Sequence, residues 1–280
     1  MKLELVIVPY DSGHRGERLG EGPGSLAPFL ADGLADAGHE LEVREIRLPD
    51  AFYPEVEAAV ALQERVHHAV RAARAEGHLP VVLAGNCNGA AFGCVSALGG
   101  EAGIVWFDAH GDFNTPETSA SGYFDGMSLA LLVGRGWPGV RRRLTDFQSV
   151  GEDSVLFVGG RDLEPAERDL LASSAIAWVR ETDIGSGGLE PPLAALSRRV
   201  AEIYLHVDLD VLDPSALEAN PWACPGGLSL DELVAAVAAM ARQLRVGALA
   251  LTAYGPSYDI DHRGPTVARE VVLAALGEGG

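Results

Sequence analysis

The sequence predicts an α/β protein built on a parallel sheet with helices on both faces. Short apolar runs alternate along the chain with longer runs rich in alanine, leucine, glutamate and arginine. The apolar runs are continuous, which is typical of strands that are buried on both faces of a parallel sheet. Because no linker-like segment divides the chain, we expect residues 1–280 to form a single domain.

Eight strands and eight helices fit this alternation, and strict alternation favours parallel strands joined by helices. The predicted strands are Leu3–Val8, Glu40–Arg44, Pro80–Ala84, Gly103–Phe107, Val155–Val158, Ile176–Trp178, Ala201–Val207 and Gly247–Thr252. The predicted helices are Gly24–Ala37, Tyr53–Glu76, Asn88–Leu98, Ser128–Val133, Pro165–Ser173, Leu189–Arg199, Ser229–Arg245 and Pro265–Leu276. Ser229, followed by Asp231 and Glu232, is typical of a helix N-cap.

Composition limits the partners and the compartment. Acidic residues outnumber basic ones by 40 to 21, which gives a net charge of −19. This excess disfavours nucleic acids and anionic membranes, since both select positively charged surfaces. Three cysteines do not make a disulfide framework, so we expect a reducing, cytoplasmic setting. No run approaches the roughly 18 apolar residues of a membrane span.

Three candidate metal ligands follow the predicted strand Gly103–Phe107. Asp108, His110 and Asp112 occupy alternate positions, and side chains two residues apart share one face of an extended chain. Buried carboxylates are costly unless something neutralises them. In an open parallel sheet the site lies beyond the carboxyl ends of the strands. The sequence therefore predicts a divalent metal site at this strand end.

A second carboxylate cluster follows the predicted strand Ala201–Val207. Asp208 and Asp210 are again two residues apart. Two strand ends that each offer such a cluster can surround a pair of hard divalent ions and make water a nucleophile near neutral pH. A single Asp-x-Asp pair is weak evidence, because solvated loop acids are common, but the two clusters together are specific.

These motifs resemble those of the ureohydrolases, the arginase and agmatinase family of manganese enzymes. Gly20-Glu21-Gly22-Pro23 and Gly226-Gly227-Leu228-Ser229 extend the resemblance nearly from end to end. The resemblance implies a single-domain arginase-like fold with an eight-stranded parallel sheet and a centre for two Mn²⁺ ions. It also implies a small-molecule substrate and a homo-oligomer, often a trimer or hexamer.

The same resemblance assigns the ligands. Asp108 and Asp208 would bridge the two metals, Asp112 would bind one of them, and His110 and Asp210 would bind the other.

Cys87 is the first departure from the family pattern. It lies in Ala84-Gly85-Asn86-Cys87, where the family has Gly-Gly-Asp-His with a metal-binding histidine. A thiolate ligand would favour zinc, iron or cobalt over manganese; alternatively, Cys87 is a small buried thiol that leaves one metal weakly bound. The branch of N-hydroxyarginine amidinohydrolase is similar in carrying cysteine here and in its run Gly111–Thr118.

Further residues match substrate positions of the family. Asn114, Ser119 and Ser121 match positions where arginase binds the α-carboxylate of its amino acid, and neutral donors suit such a group. Glu164 matches a position that faces the α-amino group. For Glu164 and for Glu167, which lies at a similar position, the alternative is that they flank Pro165 and stabilise a helix start.

Two more departures concern the chemistry. Asp125 replaces a histidine that is thought to shuttle protons in the family, and Ala253 replaces a glutamate that binds the guanidinium. A buried guanidinium without that carboxylate would lose a charge-assisted pair. Either Asp125 supplies the charge, or the substrate is less basic, as an N-hydroxyguanidine, a neutral amide or an amidine would be.

Motifs and resemblance together predict a metal-dependent hydrolase of a non-peptide C–N bond in a guanidino- or amidino-type amino acid. A metal-bridging hydroxide would attack the planar carbon, and Asp112 would orient it and pass a proton to the leaving amine. Two alternatives stay open. One is a single-zinc amide hydrolase of the deacetylase kind on the same fold, and the other is a non-catalytic member that binds metal or a metabolite.

Overall fold

The structure is a computed structural model that describes residues 1–49 and 52–277. The strands of these residues are β1 (Lys2–Val8), β2 (Tyr10–Asp11), β3 (His14–Arg15), β4 (Glu40–Glu45), β5 (Leu79–Ala84), β6 (Gly103–Asp108), β7 (Val155–Gly159), β8 (Ala177–Val179), β9 (Glu202–Asp208) and β10 (Arg245–Thr252). The helices are α1 (Gly22–Asp36), α2 (Glu55–Ala75), α3 (Cys87–Leu98), α4 (Ser128–Leu132), α5 (Pro138–Arg141), α6 (Pro165–Ala172), α7 (Glu181–Ile184), α8 (Glu190–Leu196), α9 (Leu230–Ala241) and α10 (Gly264–Ala275).

Eight strands form one parallel sheet in the order β4-β1-β5-β10-β9-β6-β7-β8. The predicted α/β fold with an eight-stranded parallel sheet is confirmed, and each predicted strand overlaps an observed one. The chain leaves β5 for β6 and later returns to place β9 and β10 between them. The carboxyl ends of β5, β10, β9 and β6 therefore lie side by side, as ligand sites in open parallel sheets require.

Helices cover both faces of the sheet. On one face α1, α8, α9 and α10 contribute buried side chains such as Leu30, Val237 and Val271 to a core with the strands. On the other face α2 and α3 contribute Val66 and Phe92. Burial of this apolar area is the main favourable contribution to folding. None of the described helices is long and apolar enough to cross a lipid bilayer.

Most differences from the predicted elements lie at their ends. The helix predicted over Ser229–Arg245 ends at Ala241, because the N–H groups of Gln243 and Leu244 both turn back to the carbonyl of Met240. Its start is as predicted: Ser229 and Glu232 form a reciprocal capping box, a cap that contributes about 1 kcal/mol. The hairpin of β2 and β3 was not predicted, since strands of two residues show no periodicity.

Candidate metal centre

The candidate centre lies at the floor of a cavity of about 320 Å³. Side chains at or just after the carboxyl ends of β5, β6 and β9 line it, namely Cys87, Asp108, Asp112, Asp208 and Asp210. The volume is at the lower end of the range for small-molecule sites. The structure thus brings the metal ligands predicted from separate segments into one place.

Two matching turns aim the carboxylates. Asp108 Oδ1 accepts a hydrogen bond from the N–H of His110 at 2.7 Å, and Asp208 Oδ1 accepts one from the N–H of Asp210 at 3.0 Å. Such a contact from a side chain to the backbone two residues later bends the chain where the strand ends. Each turn therefore directs alternate side chains toward the same point.

Two groups of potential ligands share Asp108. The first is Asp108, His110 and Asp210, and the second is Cys87, Asp108 and Asp112; in each group the ligand atoms lie within 4.8 Å of one another. Asp112 has a φ of +46°, a left-handed conformation that is uncommon for a residue with a side chain. Its Oδ2 is buried and has no hydrogen-bond partner in the described part of the chain. This donor set fits a divalent cation.

Electrostatics support the same conclusion. Burial raises the pKa of Asp112 and of Asp208 well above the usual range, and neighbouring carboxylates raise both further. Burial opposes a charge on His110, but the Asp210 and Asp108 carboxylates outweigh it and raise the pKa of the ring. Clustered buried acids are costly unless a positive charge compensates them. A cation at this point would remove the repulsion.

Cys87 is fully enclosed at the start of α3. Its Sγ lies 3.3 Å from Asp208 Oδ2 and 3.3 Å from His206 Nε2. Burial raises the pKa of the thiol well above its usual value, and the charges of Asp112 and Asp125 act in the same direction. A bound cation would favour the thiolate over the thiol here.

Asp125 caps α3 from a neighbouring segment. Its oxygens accept hydrogen bonds from the side chain of Asn86 at 3.0 Å and from the N–H groups of Cys87 and Asn88 at 3.3 and 2.8 Å. Burial raises its pKa to about 7, although these donors act in the opposite direction. Asp125 lines the cavity, but its carboxylate is already engaged in fixing the turn that carries Cys87.

The predicted substrate residues divide into two groups. Asn114, Ser121 and Glu164 line the same cavity as the carboxylates. Ser119 is not part of that lining, because its hydroxyl accepts the N–H of Gly122 at 3.0 Å and stabilises the turn behind Ser121. Glu164 also accepts the N–H of Ala120 at 3.3 Å, which ties its carboxylate to the same loop.

Ala253 lies in the cavity wall as the resemblance implies. It offers a methyl group to the cavity, and its carbonyl accepts a hydrogen bond from Asn220 Nδ2 at 2.9 Å. Asn220 also donates to Asp210 Oδ2 at 2.9 Å. The role of Asn220 is not evident from its position in the chain, since an isolated asparagine in a loop is ordinary turn chemistry.

Other supporting residues were missed or left undecided by the sequence interpretation. Glu167, for which the sequence allows either a substrate contact or a helix start, accepts the N–H of Phe113 at 2.9 Å and so fixes the loop after Asp112. Arg161 is largely buried and pairs with Glu181 at 3.1 Å. Its guanidinium also donates to the carbonyls of Asp210, Val211, Leu212 and Cys224. Both residues follow strand β7, and the sequence alone does not show which way their side chains point.

A parallel α/β sheet with buried carboxylates clustered at its carboxyl edge is typical of a metal-dependent hydrolase. The particular family follows from comparison with known proteins. The arginase family model matches residues 3–277, so the chain belongs to the arginase family. Members of this family are metal-dependent ureohydrolases that act on guanidino C–N bonds, and the prediction of an enzyme is confirmed.

Individual relatives agree with this assignment. An arginase of Staphylococcus aureus is 29% identical over 224 residues, covering 76% of this chain and 72% of the relative. An arginase of Bacillus caldovelox is 27% identical over 297 residues, covering 99% and 98%. The crystal structure of arginase from Bacillus cereus superposes with a TM-score of 0.89 at 25% identity, covering 99% of each chain.

Proposed function

We propose that this chain hydrolyses the guanidino C–N bond of an amino acid whose side chain is of the arginine or N-hydroxyarginine type. The observation that carries the proposal is the pair of ligand groups that share Asp108 at the floor of the cavity. Membership of the arginase family supports the bond type. The relatives and solved structures named as arginases support a guanidino amino acid.

We assign a two-metal centre to this cluster. The proposed ligands are Cys87, Asp108, His110, Asp112, Asp208 and Asp210. When bound, divalent ions would neutralise the buried carboxylates and supply Lewis-acid activation of water. The oxygen-rich group suits Mn²⁺, whereas the sulfur of Cys87 suits a softer ion in the second position.

The side chains around the centre have separate tasks. Asp112 Oδ2, which is buried and unpaired among the described residues, orients the attacking water, accepts its proton and passes it to the leaving amine. Asp125 positions the Cys87 turn, because its oxygens already accept three hydrogen bonds. Asn114 and Ser121 bind the α-carboxylate, and Glu164 faces the α-amino group.

The wall at Ala253 favours a substrate that is less basic than arginine. A guanidinium next to this wall meets a methyl group instead of a carboxylate, and it would forgo a charge-assisted hydrogen bond. An N-hydroxyguanidine is less basic and loses less at the same place. We therefore rank N-hydroxyarginine above arginine.

Turnover by purified protein tests the proposal. Protein stripped with a chelator is reloaded with Mn²⁺, Co²⁺, Zn²⁺ or Fe²⁺ and assayed on arginine, N-hydroxyarginine, agmatine, guanidinobutyrate and formiminoglutamate. We expect ornithine with hydroxyurea from N-hydroxyarginine, and less ornithine with urea from arginine. Absence of turnover on every substrate with every metal would refute the proposed reaction.

Matched variants separate the site from general damage. Asp210→Asn removes a proposed ligand and should abolish turnover and weaken metal binding. Asp231→Asn makes the same change on the exposed first turn of α9 and should leave both unchanged. Ala253→Glu should shift the ratio of kcat/KM values toward arginine, since it places a carboxylate at the cavity wall. An unchanged ratio would contradict the role that we give to this wall.

A further inference from the structure

Next to Cys87, a column of buried side chains is formed by Trp106, His206, Tyr204 and Thr252. The ring of His206 stacks on Trp106 with centroids 3.6 Å apart and planes 10° from parallel. Its Nδ1 lies 2.7 Å from the hydroxyl of Tyr204, and its Nε2 lies 3.3 Å from Cys87 Sγ and 3.2 Å from Thr252 Oγ1. All of these residues are almost completely buried. A histidine in such a place is costly unless its nitrogens are paired.

The hydrogen-bond partners select one tautomer of His206. Among the described residues, Nδ1 is the partner of the Tyr204 hydroxyl. If Nδ1 carried the proton, the buried hydroxyl hydrogen of Tyr204 would have no acceptor. Tyr204 therefore donates to Nδ1, and Nε2 carries the ring hydrogen. That N–H points to Cys87 Sγ and Thr252 Oγ1, while the thiol of Cys87 donates to Asp208 Oδ2 at 3.3 Å.

The column holds two members of one proposed ligand group. The N–H of His206 fixes the sulfur of Cys87 from below. Trp106, on which His206 stacks, donates its Nε1–H to Asp108 Oδ2 at 3.0 Å. Cys87 and Asp108 belong to the group that also includes Asp112. The stacked rings of His206 and Trp106 therefore set the distance between Cys87 Sγ and the Asp108 carboxylate.

We propose that His206 is a positioning residue whose Nε2–H, fixed by Tyr204, holds Cys87 Sγ as the sulfur ligand of one metal position. This position then prefers a thiophilic divalent cation such as Co²⁺ or Zn²⁺ to Mn²⁺. The inference rests on the metal-binding part of the proposed function. An N–H donor to a ligand atom orients it and tunes its donor strength, and loss of such a partner commonly weakens metal affinity 10- to 100-fold.

Co²⁺ provides a direct readout of a sulfur ligand. The full chain, freed of metal, is titrated with Co²⁺ while absorption is recorded, because thiolate coordination gives a sulfur-to-cobalt charge-transfer band in the near ultraviolet. The parent should show this band, and Cys87→Ser should lose it. Mn²⁺ affinity is measured in parallel by competition, so that each variant yields a Co²⁺-to-Mn²⁺ affinity ratio.

Tyr204→Phe is the main variant, because it keeps the ring volume and removes only the donor to Nδ1. We expect a shifted or weaker band and Co²⁺ binding weakened roughly 10-fold, with a smaller change for Mn²⁺. Tyr10→Phe is the matched control. It also removes a buried hydroxyl, which accepts the N–H of Leu48 at 2.8 Å away from Cys87, and it should retain the parent's band and affinity ratio.

Two variants of His206 separate positioning from packing. His206→Gln places an amide N–H near the position of Nε2 and should retain part of the band, whereas His206→Leu should lose it. Tyr204→Phe decides the outcome if these variants do not fold. A parent-like band and affinity ratio in Tyr204→Phe would overturn the inference. Turnover in a parent that lacks the sulfur band would overturn the inference and remove Cys87 from the proposed ligands, but it would leave the proposed reaction intact. A parent that binds no metal would overturn both.

Discussion

Replacing Glu167 by glutamine should stabilise the metal-free protein, and increasingly so as the pH rises. Glu167 packs against Gly111 so closely that a Cβ on that glycine would lie 2.6 Å from Oε1. The same oxygen accepts the N–H of Phe113 at 2.9 Å. Glutamine keeps the size of the side chain and one accepting oxygen. It removes the negative charge, which is buried near Asp108, and one of the two accepting oxygens.

The magnitude follows from the pKa. Burial is the main cause that raises the pKa of Glu167 from 4.5 to about 7; the N–H of Phe113 lowers it by less, and the charge of Asp108 raises it. Between these values the folded chain binds a proton that the unfolded chain has released. The contribution of protonated Glu167 to the free energy of unfolding is therefore fully present below pH 4.5 and is lost as the pH rises to about 7. At about 1.4 kcal/mol per pH unit, the loss is about 3 kcal/mol.

Urea unfolding of both proteins in the presence of a chelator measures this difference. Other titrating groups are common to both chains and cancel when the free energies of unfolding are subtracted. The advantage of Glu167→Gln should be small near pH 5 and reach about 3 kcal/mol near pH 8. A difference that stays constant with pH, or a variant that is less stable than the parent at pH 8, would refute the electrostatic reasoning.

Three further outcomes follow from the same contacts. Arg161→Lys should lower the free energy of unfolding by about 2–4 kcal/mol in urea at neutral pH, because lysine cannot reproduce the guanidinium fork that binds Glu181 and the backbone carbonyls. Asp213→Asn should destabilise most above pH 4, with a loss that shrinks toward pH 2 in thermal melts. The reason is that the hydroxyl and the N–H of Ser215, together with the N–H of Gly226, hold the Asp213 pKa at about 2. Chelation should lower Tm, and a divalent ion at 100 times its Kd should raise the free energy of unfolding by about 2.7 kcal/mol, as measured by calorimetry. An unchanged Tm would show that the site binds no metal.

The fold was predictable because its signals are local. Most strands of the main sheet are short apolar runs, such as Ile104–Phe107, and most are followed along the chain by a helical segment. Strand ends were less certain where a tertiary contact decides them. Strand β10 begins at Arg245, earlier than predicted, because its pairing with β9 starts at Glu202. Whether the chain forms a trimer or hexamer, and in which compartment it works, stay predictions.

The candidate site was predictable to the extent that spacing alone determines it. Asp108, Asp112 and Asp210 follow strands of a parallel sheet, so their convergence follows from topology. Directions of side chains in loops do not follow from spacing, and Ser119 therefore faces a turn instead of the cavity. His206 had a usable signal, since it lies two residues before Asp208 on the same strand and so shares its face.

One hydrogen-bonded unit contains Asn86, Cys87 and Asp125, three positions at which this chain differs from the ureohydrolase motifs. Asn86 Nδ2 donates to Asp125 Oδ2 at 3.0 Å, and the N–H of Cys87 donates to the same oxygen at 3.3 Å. The ureohydrolase motif has aspartate where this chain has Asn86. Two carboxylates about 3 Å apart would repel by roughly 5 kcal/mol at an effective dielectric constant of about 20. Asn86 therefore avoids a second carboxylate beside Asp125, and the turn that carries Cys87 depends on both residues.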